Sequence, residues 1–295
     1  MFDKGSTAVL STQDLPFIVA VKQAGIYSFE DGDWLLQYGL TQNIYKLVQL
    51  GHFIFGIGDN GTIIRYDLQR KKWNQTSFPT AQRLWDITGN RKGLIVTHGG
   101  SCLYISTNFG SDWSVIRPFQ NMPQKPLIRS LLYHQGILYI GTQINSQNGG
   151  LWRYYVRKGE LQLIKKEKHS MISSIYRDEN DLLIIAKGNA RSGMGTIEFL
   201  NPFTKKWDVC QQPISERAFL DIFEANEKVY ATTSQDVDGF SRIYEVHKNS
   251  MSLIPIETVA GHGFRGAGFE DQLFICSHRE SKWISHRYNT SALIH

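Results

Sequence analysis

The chain has 295 residues, 41% of them hydrophobic, with a net charge of +5 and a pI near 9.0. That is enough apolar material for a sizeable core, and the positive excess falls well short of the dense basic stripe of a dedicated nucleic-acid binder, so nucleic acid is not expected as a partner. No apolar run approaches the roughly 18 residues of a membrane span, and the first seven residues lack the basic-then-apolar pattern of a signal peptide, so a soluble cytoplasmic protein without membrane insertion is expected.

In chain order, one unit recurs. It comprises an apolar strand, a polar turn, a second strand ending in a small residue, an aromatic-rich third strand, a turn often closed by Trp, and a fourth strand. First strands are predicted at Ser6–Ser11 and from near Ile44, Leu84, Ile128, Ile172, Phe219 and Phe264, the last five intervals being 40, 44, 44, 47 and 45 residues. Second strands are predicted at Phe17–Val21, Phe53–Ile57, Leu94–Thr97, Ile137–Gly141, Leu182–Ala186, Val229–Thr232 and Leu273–Ser277. Third strands share an Arg-Tyr pair in Ile63–Tyr66, Leu151–Tyr154 and Ser285–Tyr288, while Trp34, Trp73, Trp113 and Trp207 each follow a charged residue at the third turn. No stretch shows sustained helical periodicity and no linker interrupts the repeat, so residues 1–295 read as one domain. The pattern predicts an all-β fold, a single propeller of four-stranded blades. Seven blades are expected, with six as the alternative. Only Ser291–Ile294 remain for the last outer strand, and residues 6–12 compete to supply it.

Ser106-Thr107-Asn108-Phe109-Gly110-Ser111-Asp112-Trp113 follows the strand-like Cys102–Ile105. Asn108 is placed to hydrogen-bond its own turn, Gly110 to supply a positive φ, and Trp113 to fold back as an apolar plug. The pattern S-x-[DN]-x-G-x-x-W resembles the Asp-box, the turn between the outer strands of a blade in many β-propellers, and Asn201–Trp207 has a kelch-like look. This resemblance implies architecture and not chemistry. It invites comparison with sialidases, but the sequence around Arg83, Arg129 and Arg265 does not match their arginine triad.

In such a fold, the turns after second strands and the lead-ins to first strands share one face around the channel, where ligand sites usually lie. Aligned second strands place Lys22, Asp59, His98, Thr142, Lys187, Thr233 and His278 there, and the lead-ins add Arg83, Arg129, His262 and Arg265. Several cations around one clear carboxylate point to a non-enzymatic binding module for an anionic small molecule or an acidic protein segment. Against this stands the plainer reading that polar loop residues are merely solvated. The alternative is a glycan- or phosphate-ester-directed hydrolase or lyase using His98 or His278 as acid/base, assisted by Asp59. No cofactor or metal site is expected. Asp236-Val-Asp238-Gly239 opens like a calcium loop without the later oxygen ligands, and Cys102, Cys210 and Cys276 lack CxxC spacing and read as buried thiols. On the opposite face, Arg70–Lys72, Arg157-Lys158, Lys205-Lys206 and His247-Lys248 mark basic turns, read first as charges that stop sheet edges from pairing.

Overall fold

The computed structural model describes residues 4–285 apart from Ser77, Ala190, Ser192 and Pro202. Among the described residues, six antiparallel sheets of four strands and one of three follow each other along the chain, each pairing its strands in sequence order. We call them blades 1 to 7: residues 6–39, 44–76, 87–116, 128–166, 171–209, 219–260 and 263–285. The first strands are Ser6–Leu10, Ile44–Leu50, Ile87–Gly89, Ile128–His134, Met171–Arg177, Phe219–Ala225 and Gly263–Phe269. Each contacts the first strand of the next blade, and that of blade 7 returns to that of blade 1, so they line a central channel. The fold is a seven-bladed β-propeller.

Among the described residues the core is divided: seven separate apolar clusters lie one at each junction between neighbouring blades. Both faces of a blade are thus buried, which is why the strands read as mixed apolar runs rather than clean alternation. The junction of blades 7 and 1 closes the ring through aromatic side chains. Phe17 meets Trp283 edge-on at 4.9 Å and Phe274 at 5.8 Å, and Trp34 meets Phe274 at 5.5 Å. Ser6 Oγ also lies 2.5 Å from Ser281 Oγ.

Some expected boundaries move. Ser6–Leu10 is the inner strand of blade 1, paired with Ile18–Val21, so residues 6–12 do not complete blade 7. The third strand of blade 7 is Lys282–Ser285; residues 286–288, and Ser291–Ile294, lie outside the described residues. The first strand of blade 3 starts at Ile87, not Leu84, because Leu84 N–H is taken by Gly58 O of blade 2 at 3.0 Å.

The Ser106–Trp113 turn forms much as its residues predict. Ser106 Oγ accepts from Gly110 N–H at 2.9 Å, and Asn108 Oδ1 accepts from Asp112 N–H at 3.0 Å. Gly110 has φ 78° and Phe109 φ 55°. Arg65 of blade 2 donates to Phe109 O at 2.8 Å, while Trp113 meets Phe78 edge-on at 5.0 Å. The turn therefore ties blade 3 to blade 2.

Candidate functional site

Six of the seven inner strands carry a bulge near their start, with Thr7, Tyr45, Arg129, Ser173, Leu220 and Phe264 as the extra residues. In blade 3, Trp85 holds the same place just ahead of the strand. A bulge re-aims side chains. Here it sets two stacked rings around the axis, one of bulge residues at the mouth and one of the residues that follow: Ala8, Lys46, Asp86, Ser130, Ser174, Asp221 and Arg265.

Four residues of the deeper ring are charged. Lys46 Nζ lies 2.8 Å from Asp86 Oδ1, and Arg265 Nη1 donates to Asp221 Oδ1 at 2.8 Å. The carboxylates also satisfy the next blade's backbone: Leu131 N–H donates to Asp86 at 2.8 Å and Gly266 N–H to Asp221 at 3.2 Å. Ser174 Oγ likewise accepts from Ile222 N–H at 3.2 Å. Arg265 then crosses the channel and donates to Tyr45 O and Trp85 O, both at 3.2 Å. Arg265 with Asp221 and Lys46 lines a cavity of about 250 Å³ that opens toward the other face. Burial opposes ionisation of Asp86, but Lys46 and Arg265 hold its carboxyl below the usual value.

At the mouth the residues of blades 2 to 4 stack. Tyr45 and Trp85 rings are 4.7 Å apart, Arg83 lies over Tyr45 at 5.1 Å and Trp85 at 5.0 Å, and Arg129 lies over Trp85 at 4.4 Å. Arg83 Nε donates to Asp59 at 2.7 Å, and Asp59 also accepts from Asn43 and the Tyr45 hydroxyl. Arg129 differs, because its Nη1 is buried without a partner among the described residues. Burial, and then the neighbouring Arg265 charge, press its pKa down to about 10. His98 is 0% exposed and neither ring nitrogen has a hydrogen-bond partner among the described residues. Burial pushes its pKa down to about 4, Asp86 pulling it up and Arg129 adding to the fall.

The structure thus separates the residues that alignment grouped. His98 lies within the second strand of blade 3, not beyond it, and Asp59 is engaged by Arg83. Lys187 is held by Glu167 at 2.6 Å and Glu198 at 2.8 Å. Thr142 accepts from Gly150 N–H and Thr233 from Arg242 N–H, both at 2.8 Å, so both brace turns. Lys22 is exposed. His278 Nδ1 accepts from His262 N–H at 3.1 Å, and His262 Nδ1 from Gln235 N–H at 3.0 Å. Both imidazoles are pressed toward neutrality, chiefly by burial. Asp236 Oδ1 accepts from Asp238 N–H and Phe240 N–H and its Oδ2 pairs with Arg242, closing its own turn. The three cysteines are free thiols, Cys210 and Cys276 buried and Cys102 partly so.

Tyr45, Lys46, Trp85, Asp86 and Asp221 were not among the expected site residues. A signal for the inner ring was present. Lys46, Asp86, Ser130, Ser174, Asp221 and Arg265 are polar residues spaced by 40, 44, 44, 47 and 44, the repeat of the blades themselves.

The class is that of seven-bladed β-propellers. The chain belongs to the same family as the uncharacterized protein YkuO of Bacillus subtilis (strain 168), to which it is 38% identical over 299 residues, covering 100% of both chains. No family model matches it. Among solved structures it is similar to the extracellular domain of the putative one component system BT4673 from B. thetaiotaomicron, with TM-score 0.73, 15% identity and 97% of this chain covered. The match spans only 39% of that longer chain. It is also similar to YCF48 from Cyanidioschyzon merolae, with TM-score 0.71, 14% identity and 96% of each chain covered. At such identities the likeness concerns the fold alone. Among the described residues no helix is long and apolar enough to cross a membrane.

Proposed function

We propose that this protein is a non-enzymatic binding module that takes an anionic group at the channel mouth, between Arg129, Arg83 and the Tyr45–Trp85 stack. The observation that carries the reading is Arg129. Its Nη1 is withdrawn from water without a hydrogen-bond partner among the described residues although the side chain is partly exposed, and an incoming anion satisfies that donor. The ligand is a small molecule or an acidic protein segment. Leu127 and Ile144, 55% and 47% exposed, offer apolar ground on the same blade, next to each other through the Gln143 N–H to Leu127 O bond of 2.8 Å. The finer Asp-box assignment is part of this reading, supported by the Ser106 and Asn108 hydrogen bonds. We do not favour hydrolysis or lyase chemistry, since Asp59 is taken up by Arg83 and His98 has no hydrogen-bonded carboxylate to orient it.

The test is thermal denaturation with a panel of small anions and an acidic peptide, comparing the wild type with Arg129→Gln. Saturable protection of the wild type alone is expected. Equal responses from both proteins to every probe would remove the reading.

A further inference from the structure

On the face opposite the mouth, Tyr139, Arg153, Leu163, Arg177, Leu200 and Trp207 line a groove of about 600 Å³ between blades 4 and 5. Its rim includes Asp181 and Lys205, from the first and third turns of blade 5. We infer that this groove receives an acidic segment of a partner protein, with one large apolar side chain inside and a carboxylate beside Arg153.

The junction of blades 2 and 3 shows what fills such a place. Arg65 and Arg153 hold the same position in their blades, each paired across the sheet with an aromatic residue of the second strand, Phe55 or Tyr139. Four residues before the Trp of the third turn stands Phe109 in blade 3 and Phe203 in blade 5. Phe109, with φ 55°, turns inward. Its ring lies 5.4 Å from that of Phe53, and its carbonyl accepts from Arg65 at 2.8 Å. Blade 5 does not repeat this latch. There Lys205 takes the left-handed conformation, with φ 58°, and Asn201 Oδ1 accepts from the N–H groups of Phe203 and Thr204, both at 3.0 Å. Phe203 is left 92% exposed. Arg153 turns instead to a neutral acceptor, Gln162 Oε1, its Nε and Nη2 donating at 2.8 and 2.6 Å. The groove thus lies where, two blades earlier, a ring and its carbonyl are inserted.

Charge selects the occupant. Among the lining residues Arg153, Arg177 and Lys205 stand against one carboxylate, Asp181, which Arg177 already engages at 3.0 Å. Acidic side chains neutralise the remaining positive charge. The outer strand of blade 4, Glu160–Lys166, pairs among the described residues only with Gly150–Tyr155, so its other edge is open to the backbone of an extended segment. Leu163, 37% exposed, lies on that strand. A nucleic acid would call for a continuous basic track with stacking rings, whereas these cations are interspersed with aliphatic walls. A bilayer would call for apolar side chains that protrude, and these line a recess.

The experiment titrates the whole chain with fluorescently labelled nine-residue peptides that carry Phe, Leu or Trp at the centre and Asp or Glu on both sides, and reads anisotropy. Peptides with Ala at the centre, or with Lys on both sides, are the controls. Saturable binding of the acidic apolar peptides is expected, weakened about tenfold in Arg153→Gln and in Leu163→Glu. The side-chain 15N signal of Arg153 in the wild type should move on peptide addition, and that readout needs no variant. Binding that depends on Arg129 belongs to the mouth, so failure at the groove and failure at the mouth are told apart. If the Arg153 signal stays put and no peptide binding depends on Arg153 or Leu163, the inference is overturned, whatever happens at the mouth. If Ala-centred peptides bind equally well, the apolar anchor is overturned. Arg153-dependent binding of single-stranded RNA or of phosphatidylserine vesicles, with none of the peptides, would overturn it by assigning the face to another class of partner.

Discussion

Arg265 and Asp221 form a buried ion pair at 2.8 Å between blades 7 and 6, and the same guanidinium reaches across the channel to backbone carbonyls of residues 45 and 85. One side chain thereby joins blades 6 and 7 to blades 2 and 3. Removing one member leaves the other charge buried alone. Arg265→Met is expected to cost about 3–5 kcal/mol in urea unfolding. The double change with Asp221→Met is expected to cost less than the sum of the two single changes. Strict additivity would mean that the pair is not a coupled unit.

Arg129→Gln should act in the opposite sense. The lowered pKa of Arg129 means that its charged form is less favoured in the folded chain than in the unfolded one, so the charge is a burden at every pH below about 10. Without added anion, the variant is expected to gain about 1 kcal/mol, or about 2–4 °C in Tm. A loss of that size would show that the guanidinium has partners after all.

Stability should also fall on mild acidification. His98 titrates at about 4 in the fold against an ordinary 6.5, with Asp86 and Arg129 as the charged groups acting on it. Below pH 6.5 the unfolded chain binds a proton that the folded chain refuses, so this contribution is whole above pH 6.5. It drains away as pH falls toward 4, by roughly 3 kcal/mol in all. His262 and His278 are shifted in the same direction and add to the slope. Denaturant midpoints from pH 7.5 to 4.5 should show a shallower decline in His98→Phe. An identical slope would assign the effect elsewhere.

The Ser106–Trp113 turn offers a local test. Ser106 Oγ accepts from both Gly110 N–H and Asn108 N–H, and Asn108 Oδ1 accepts from Asp112 N–H. Ser106→Ala leaves the Gly110 and Asn108 amides without this partner and is expected to cost about 1–2 kcal/mol. Thr107, exposed in the same turn, should tolerate Ala within about 0.5 kcal/mol.

Much of the architecture was legible in the chain itself. A repeat of some forty residues, short apolar strands between polar turns and the Ser106–Trp113 turn are local signals, and they led to the blades and their approximate strands. Closure was less legible, because whether Ser6–Leu10 pairs with Ile18–Val21 or with the far end of the chain depends on contacts across more than 250 residues.

The mouth shows the same division. Alignment put Asp59, Arg83, Arg129 and His278 on one face, since strand direction decides that without knowledge of packing. It did not tell free groups from engaged ones. Lys187 and Arg265 looked like neighbours of Arg129 in kind, yet both find carboxylates supplied by other strands or blades, and His98 is closed in by burial. Pairing and desolvation depend on distances of a few ångströms between residues far apart in sequence. The order of residues thus determined the repeat and the polar position it carries in most blades, whereas only the assembled ring decided which charges cancel and which one is left over.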